Sequence, residues 1–215
     1  MIARREAFLT DYQNARYAGR YQALVSRVAE AEKGVSGQPG PLTEAVARYY
    51  FKLLAYKDEY EVARLHTDTG LVQRIRDQFD GDVQVKFHLA PPMLAKKDPV
   101  TGLARKAQYG GYMFHAFRML ARLRFLRGTV LDPFARQADR KLERQLIRDY
   151  EATVEHVLER LPHASIEIAT ELLSIPEQIR GYGHVKERNV EKARKLEQGL
   201  RARLEKRSTL KSTSA

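Results

Sequence analysis

The chain contains no cysteine among its 215 residues. This absence excludes a disulfide framework, a cysteine nucleophile, a cysteine-ligated zinc and a cysteine-held iron–sulfur cluster within the chain. No run of about 18 apolar residues occurs, so the sequence predicts no membrane-spanning helix. The opening residues, MIARREAFLTDYQ, interrupt their apolar run too early for a secretory signal. Together these absences favour a cytoplasmic protein that holds no cofactor of its own.

The chain also lacks the sequence signatures of common catalytic sites. We find no Walker A sequence, no GxGxxG after a strand, no HExxH and no GxSxG. The six histidines have no metal-ligand spacing, and a zinc site without cysteine needs a shell of histidine and carboxylate alone. We therefore predict no catalytic residue and no metal site in these residues.

The residues that are present suffice for a core, since 43% are hydrophobic and the chain is long enough for one domain. Apolar side chains recur every three or four positions over most of the chain, which indicates helices. Thr43 is the predicted N-cap of the second helix. We expect a single helical domain over residues 1–207 and a disordered tail over 208–215. The predicted helices cover about 2–33, 43–66, 70–79, 112–127, 136–160, 164–174 and 184–207.

One segment has a different period. Val83, Val85, Phe87 and Leu89 alternate with polar residues, which is typical of a half-buried strand. A lone strand is unstable, so we expect a partner. The partner is either the segment Leu103–Tyr109, after a turn over 98–102, or a strand of another chain. The fold class is therefore mainly α, a multi-helix domain with one small β-hairpin around residues 82–109.

The net charge of +11 is unevenly distributed. Residues 96–148 carry a net +9 and residues 186–215 a net +6, whereas residues 149–185 carry −5. Such segments are solvated helix faces or a docking surface for an acidic partner, which includes nucleic acid. The eleven tyrosines could stack on bases, but most recur at helical spacing beside Leu and Val, where a core role is commoner.

The densest polar cluster combines four charged residues with a tyrosine on the helix predicted over 43–66. On a helix, Lys57 and Glu61 are neighbours and Tyr60 shares a face with Arg64. Lys57 falls close to an apolar stripe, so it is paired, snorkelling or functional. We interpret the cluster as structural and expect a buried ion pair. Its members are Lys57, Asp58, Glu59, Tyr60 and Arg64.

A second cluster has two glycines just before the final helix. Their backbone N–H groups, the helix N-terminus and the neighbouring cations together could bind an anion. The alternative is a plain turn in which the glycines adopt positive φ. The candidate anion-binding residues are Arg180, Gly181, Gly183, His184 and Lys186.

Five runs of sequence, in order across most of residues 1–190, resemble the C-terminal extension of the fused indolepyruvate ferredoxin oxidoreductases. They are AVARYYFKLLAYKDEYEVARLHTD, FHLAPPMLAKKDPVTGLARK, FRMLARLRFLRGTVLDPF, ADRKLERQLIRDYE and LLSIPEQIRGYGHVKERN. The resemblance implies a parent enzyme that oxidatively decarboxylates an aryl-pyruvate to aryl-acetyl-CoA. Thiamine diphosphate, iron–sulfur clusters and coenzyme A are its implied cofactors, and ferredoxin is its electron acceptor.

This chain has none of that machinery, because it lacks the Gly-Asp-Gly…Asn-Asn thiamine diphosphate motif and any cysteine. The resemblance therefore implies a helical accessory segment that packs against the catalytic domains or subunits of the parent enzyme. An alternative of another class is a basic helical protein that binds nucleic acid. It is the less favoured of the two, because no nucleic-acid motif accompanies the charge.

Overall fold

A computed structural model describes residues 1–67, 70, 74, 77–79, 84–89, 105 and 107–212, apart from the side chains of 207–212. This part of the chain confirms the prediction of a mainly α fold with one small hairpin. It also has two short 3₁₀ segments, at Leu123–Leu126 and Ile175–Gln178. The elements in chain order are α1 (Ile2–Tyr12), α2 (Ala15–Ser36), α3 (Pro41–Leu54), α4 (Glu59–Thr67), β1 (Phe87–Leu89), β2 (Ala107–Tyr109), α5 (Met113–Arg122), α6 (Ala138–Arg160), α7 (Ile166–Leu173) and α8 (Gly183–Ser212).

The chain divides into two compact units. Unit 1 consists of residues 1–56 and 133–215, and unit 2 consists of residues 57–132. The last helix, α8, continues to Ser212 and so includes residues for which we predicted a disordered tail. The helix predicted near 70–79 and the turn predicted at 98–102 lie largely or wholly outside the described residues. Within the described residues, no helix is both long and apolar enough to cross a membrane.

Two predicted helices are each divided by an Asx N-cap. The helix predicted over 2–33 breaks before Asn14, whose side chain accepts a hydrogen bond from the Tyr17 N–H at 2.9 Å. The helix predicted over 43–66 breaks before Asp58, whose carboxylate accepts one from the Glu61 N–H at 2.8 Å. In both places the side chain accepts a hydrogen bond from an N–H group that has no partner within the first turn of the next helix. This favours the start of a new helix over continuation of the previous one.

The N-terminus of α3 is capped from another helix. Thr43 is not the N-cap that we predicted, because α3 begins at Pro41 with Gly40 as its N-cap residue. The fully buried carboxylate of Glu32, on α2, accepts hydrogen bonds from the N–H groups of Gly40, Leu42 and Thr43. It also accepts one from the Thr43 hydroxyl at 2.6 Å. One carboxylate therefore binds the free N–H groups of a whole first turn.

Buried tyrosines connect the helices of unit 1. The rings of Tyr21, Tyr50 and Tyr150 stack in series, with centroids 6.1 and 6.0 Å apart. The Tyr21 hydroxyl donates to the carbonyl of Ala47 and the Tyr150 hydroxyl donates to that of Leu173. Each ring thus supplies apolar area to the core while its hydroxyl stays satisfied, as buried tyrosines require.

Unit 2 has a smaller core under the hairpin. The two strands pair in antiparallel register, with Phe87 opposite Tyr109, so the partner of β1 lies in the same chain. Phe87 is buried with Phe117 and Ala121 of α5 and with Ala63 of α4. The amphipathic α5 thereby presents one apolar face to this core and leaves its other face exposed.

Candidate functional site

The centre of unit 2 is a buried ion pair between Asp58 and Arg127. Both side chains are only 3% exposed, and two hydrogen bonds of 2.5 and 2.9 Å join them. The same carboxylate caps α4, so Asp58 serves a helix start and an arginine at once. The Arg127 guanidinium also lies 5.5 Å from the ring centroid of Tyr60, within the range of a cation–π contact.

Asp132 extends this arrangement. Its carboxylate accepts hydrogen bonds from the Tyr60 hydroxyl at 3.1 Å and from the Gly128 N–H at 2.8 Å. Burial raises the pKa of Tyr60, and the adjacent Asp132 charge raises it further, so the hydroxyl stays protonated and donates. The result is a buried polar network, which we define as Asp58, Tyr60, Arg127 and Asp132.

The structure separates the members of the predicted polar cluster. Lys57 is exposed, so it is not the buried cation that we expected, because the chain is not helical at residues 56–58. Arg64 pairs instead with buried Glu61, through two hydrogen bonds of 2.9 Å. Glu59 begins α4 and is partly exposed. Sequence reasoning missed Arg127 and Asp132, which lie about 70 residues further along the chain.

The contacts of the polar network indicate a structural role. Each carboxylate oxygen of Asp58 and Asp132 accepts a hydrogen bond from a protein donor, and Arg127 donates two to one carboxylate. A general base or nucleophile must reach a substrate, whereas these groups are buried and satisfied by one another. The network therefore fixes the loop 126–132 against α4.

The glycine turn before α8 has the backbone that we predicted for its plain-turn alternative. Gly181 has φ +94° and Gly183 has φ +52°, both in the region that side chains disfavour. A Cβ built on Gly181 lies 2.8 Å from Cγ1 of Val185, closer than packed atoms approach. Gly181 therefore allows the chain to pass tightly over the first turn of α8.

The cations of this turn are bound to acceptors of unit 1. Arg180 pairs with the Glu177 carboxylate and donates to the Glu177 carbonyl at 2.9 Å. Lys186 pairs with Glu143 of α6 at 2.5 Å, and His184 is exposed. An added anion has to compete with two carboxylates here, so anion binding by Arg180, Gly181, Gly183, His184 and Lys186 stays a prediction.

Lys52 is a third cation at the same turn, and sequence reasoning missed it. Its ammonium group donates to the carbonyl of Pro176 at 2.6 Å and to that of Glu177 at 3.3 Å. Burial lowers the pKa of Lys52, and the nearby charges of Arg180 and Lys186 lower it further. No signal in the sequence pointed to this role of Lys52, because its carbonyl partners lie 124 and 125 residues further along the chain.

We predict opposite effects for alanine at two glycines of the α8 region. Gly181→Ala combines a positive φ with a 2.8 Å contact, so it should lower the free energy of unfolding by about 1–3 kcal/mol. Gly199→Ala is the matched control, because Gly199 lies inside α8 with open space around it, and it should raise stability by up to about 1 kcal/mol. Urea unfolding measures both variants, and equal effects of the two would contradict this account.

A histidine of unit 2 packs among aromatic rings. His66 stacks on Phe117, with centroids 5.3 Å apart, and meets the edge of Phe87. Burial lowers its pKa, which favours the neutral ring. In the part of the chain that the structure describes, no group of three or more His, Asp or Glu side chains is arranged to hold a metal ion.

Comparison with known proteins gives one result. Residues 1–199 match DUF6537, a family of unknown function, and the chain belongs to that family. The match covers α1 to α7 and more than half of α8, so it includes all of unit 2 and unit 1 up to residue 199. No curated protein and no solved structure matches the chain significantly.

Proposed function

We propose that this chain is the C-terminal accessory and assembly domain of an indolepyruvate ferredoxin oxidoreductase-like enzyme, without catalysis of its own. In this proposal the parent enzyme carries out thiamine diphosphate-dependent oxidative decarboxylation of an aryl-pyruvate. Its product is an aryl-acetyl-CoA, and ferredoxin accepts the electrons. The cofactors belong to the catalytic domains or subunits, which are the direct partners of this chain in the cytoplasm.

The observation that carries the proposal is the order and extent of the five resembling runs. The first run contains Asp58 and Tyr60, and the third contains Arg127 and Asp132. All four residues of the polar network in unit 2 thus lie within the runs, as do Gly181 and its tight turn. The buried and satisfied chemistry of these residues supports a structural role rather than a catalytic one.

The proposal is tested with the chain alone and with the chain added to a catalytic polypeptide. The isolated chain should show no oxidation of indolepyruvate when thiamine diphosphate, coenzyme A and ferredoxin are supplied. Added to a catalytic polypeptide that lacks this segment, it should form a complex and raise the melting temperature of that polypeptide. Turnover by the isolated chain contradicts the proposal, and so does the absence of any complex.

A second candidate function, nucleic-acid binding, is favoured by one surface of α8. Four exposed cations recur at helical spacing on the face opposite buried Val190, Leu200 and Leu204. Among the described residues they make no ion pair with a carboxylate. We call this set the α8 basic row; it consists of Arg188, Lys192, Lys195 and Lys206.

Salt dependence tests this second candidate. A non-specific binder should have a dissociation constant of about 10⁻⁴–10⁻⁶ M for duplex DNA, and its affinity should fall steeply with salt. The double variant Lys192→Ala/Lys195→Ala should reduce the slope of log affinity against log salt concentration, by the amount expected for the loss of about two phosphate contacts. Fluorescence anisotropy with a labelled duplex measures this, and a flat salt response in the unmodified chain excludes the function.

A further inference from the structure

The outer face of α5 is apolar and cationic. Phe117 and Ala121 point into the core of unit 2, whereas four residues at a spacing of three or four lie exposed on the opposite side. The stripe continues past the helix end to Phe125, which is 58% exposed, and includes Met119, which is 66% exposed. The exposed residues of α5 on this side are His115, Arg118, Met119 and Arg122.

The loop after α5 presents two further apolar side chains. Val130 is fully exposed and Leu131 is 73% exposed. The loop is closed by short-range hydrogen bonds, from the Thr129 N–H to the Leu126 carbonyl at 2.9 Å and from the Asp132 N–H to the Thr129 carbonyl at 3.2 Å. We call Met119, Phe125, Val130 and Leu131, with Arg118 and Arg122, the α5-loop face.

Buried contacts hold the loop part of the α5-loop face in place. Arg127 and Asp132, at either side of Val130, belong to the polar network and are nearly inaccessible to solvent. The loop therefore cannot turn Val130 and Leu131 inward without breaking the Asp58–Arg127 ion pair and the Asp132 hydrogen bonds. A surface that is ordered before it binds loses less conformational entropy on association, which favours tight docking.

The charge of this face has one sign. No Asp or Glu occurs from Pro99 to Leu131. Arg118 and Arg122 are exposed, and neither pairs with a carboxylate within the residues described here. Arginine, methionine and phenylalanine are enriched at protein interfaces, with apolar residues at the centre and polar residues at the rim. A complementary surface therefore has an apolar hollow surrounded by acidic residues.

We propose that the α5-loop face docks onto an acidic protein surface of the catalytic polypeptide of the parent enzyme, and this inference rests on the proposed function above. A second copy of the chain is a poorer fit, because a two-fold contact would bring like arginines together. Nucleic acid is also a poorer fit, since its phosphates leave the four apolar side chains of the face without a partner.

The test measures binding of this chain to the catalytic polypeptide that carries the thiamine diphosphate and iron–sulfur domains, by calorimetry at low and physiological salt. Phe125→Ser/Leu131→Ser should weaken binding at least tenfold. Arg118→Glu/Arg122→Glu should weaken it similarly and reduce its dependence on salt. Val35→Ser, at an exposed apolar residue of unit 1, is the matched control and should bind as the unmodified chain does. Circular dichroism verifies that each variant is folded.

The outcomes separate the two proposals. If the unmodified chain and both face variants bind equally, the inference about this face is wrong and the accessory function stands. If the unmodified chain does not bind the catalytic polypeptide, the proposed function fails and the inference fails with it. Phosphatidylglycerol vesicles and duplex DNA are measured in parallel. Binding to either that the face variants abolish assigns the face to a membrane or to nucleic acid and overturns the proposal.

Discussion

Replacing Asp58 with alanine should lower the free energy of unfolding of unit 2 by about 3–5 kcal/mol. The variant leaves the Arg127 guanidinium buried without its carboxylate. It also removes the acceptor of the hydrogen bond that the Glu61 N–H donates in the first turn of α4. Hydrogen exchange of amides in α4 and α5 under increasing urea measures the loss locally. Local measurement is needed because a chain of two units need not unfold in one step.

Two further variants distinguish a buried ion pair from a general effect of substitution. Lys57→Ala changes the exposed neighbour of Asp58 and should alter stability by less than about 0.5 kcal/mol. Asp58→Leu/Arg127→Met removes both charges and should recover most of the loss, apart from about 1 kcal/mol for the missing helix cap. If the double variant is as unstable as Asp58→Ala, the buried charge is not the cause.

Glu32→Ala should cost about 3 kcal/mol or more in unit 1, because it leaves the first turn of α3 without an acceptor in a buried place. The matched control is Glu30→Ala, at an exposed glutamate two residues earlier on α2, which should change stability by less than about 0.5 kcal/mol. Thermal unfolding followed by the circular dichroism of the helices compares the two. Similar losses in both variants would contradict the capping role.

The Glu32 carboxylate also makes the stability of the chain depend on pH. Burial raises the pKa of Glu32, but the hydrogen bonds from Thr43, Gly40 and Leu42 outweigh burial and hold the pKa below its ordinary value of 4.5. The ionised carboxylate therefore contributes stability at pH values above 4.5, and this contribution is lost as the pH falls through the lower pKa of the folded state. Glu32→Gln should show a flatter decline of stability below pH 4.5 than the unmodified chain.

The sequence predicted the elements that depend on local periodicity. The two-residue repeat at Phe87 and Leu89 located β1, and the three-to-four repeat located most helices. Both helix breaks were missed because the apolar stripe continues across them. For the second break the signal was nevertheless present, since Asp58 and Glu61 have the spacing of a capping box, which marks a helix start.

The buried charges could not be predicted in the same way. Glu32 and Arg127 look like ordinary surface residues of basic or mixed helices, and their partners lie 8 to 69 residues away. Only the packed structure brings a carboxylate to the start of α3 or Asp58 to Arg127. For the same reason the sequence located the glycine turn at Gly181 but did not reveal that Glu177 and Glu143 pair with its cations.

The division of the chain has a consequence for its biosynthesis. Unit 2 is one continuous stretch, whereas unit 1 needs residues from both sides of it. As the ribosome proceeds from the N-terminus, all of unit 2 is made before α6 and α7, against which α3 packs, have left the exit tunnel. Unit 2 can therefore fold while the apolar side of α3 is still exposed, because α6 and α7 have not yet packed against it. We expect chaperones to recognise nascent chains that end soon after Asp132, through the exposed aromatic residues of α3.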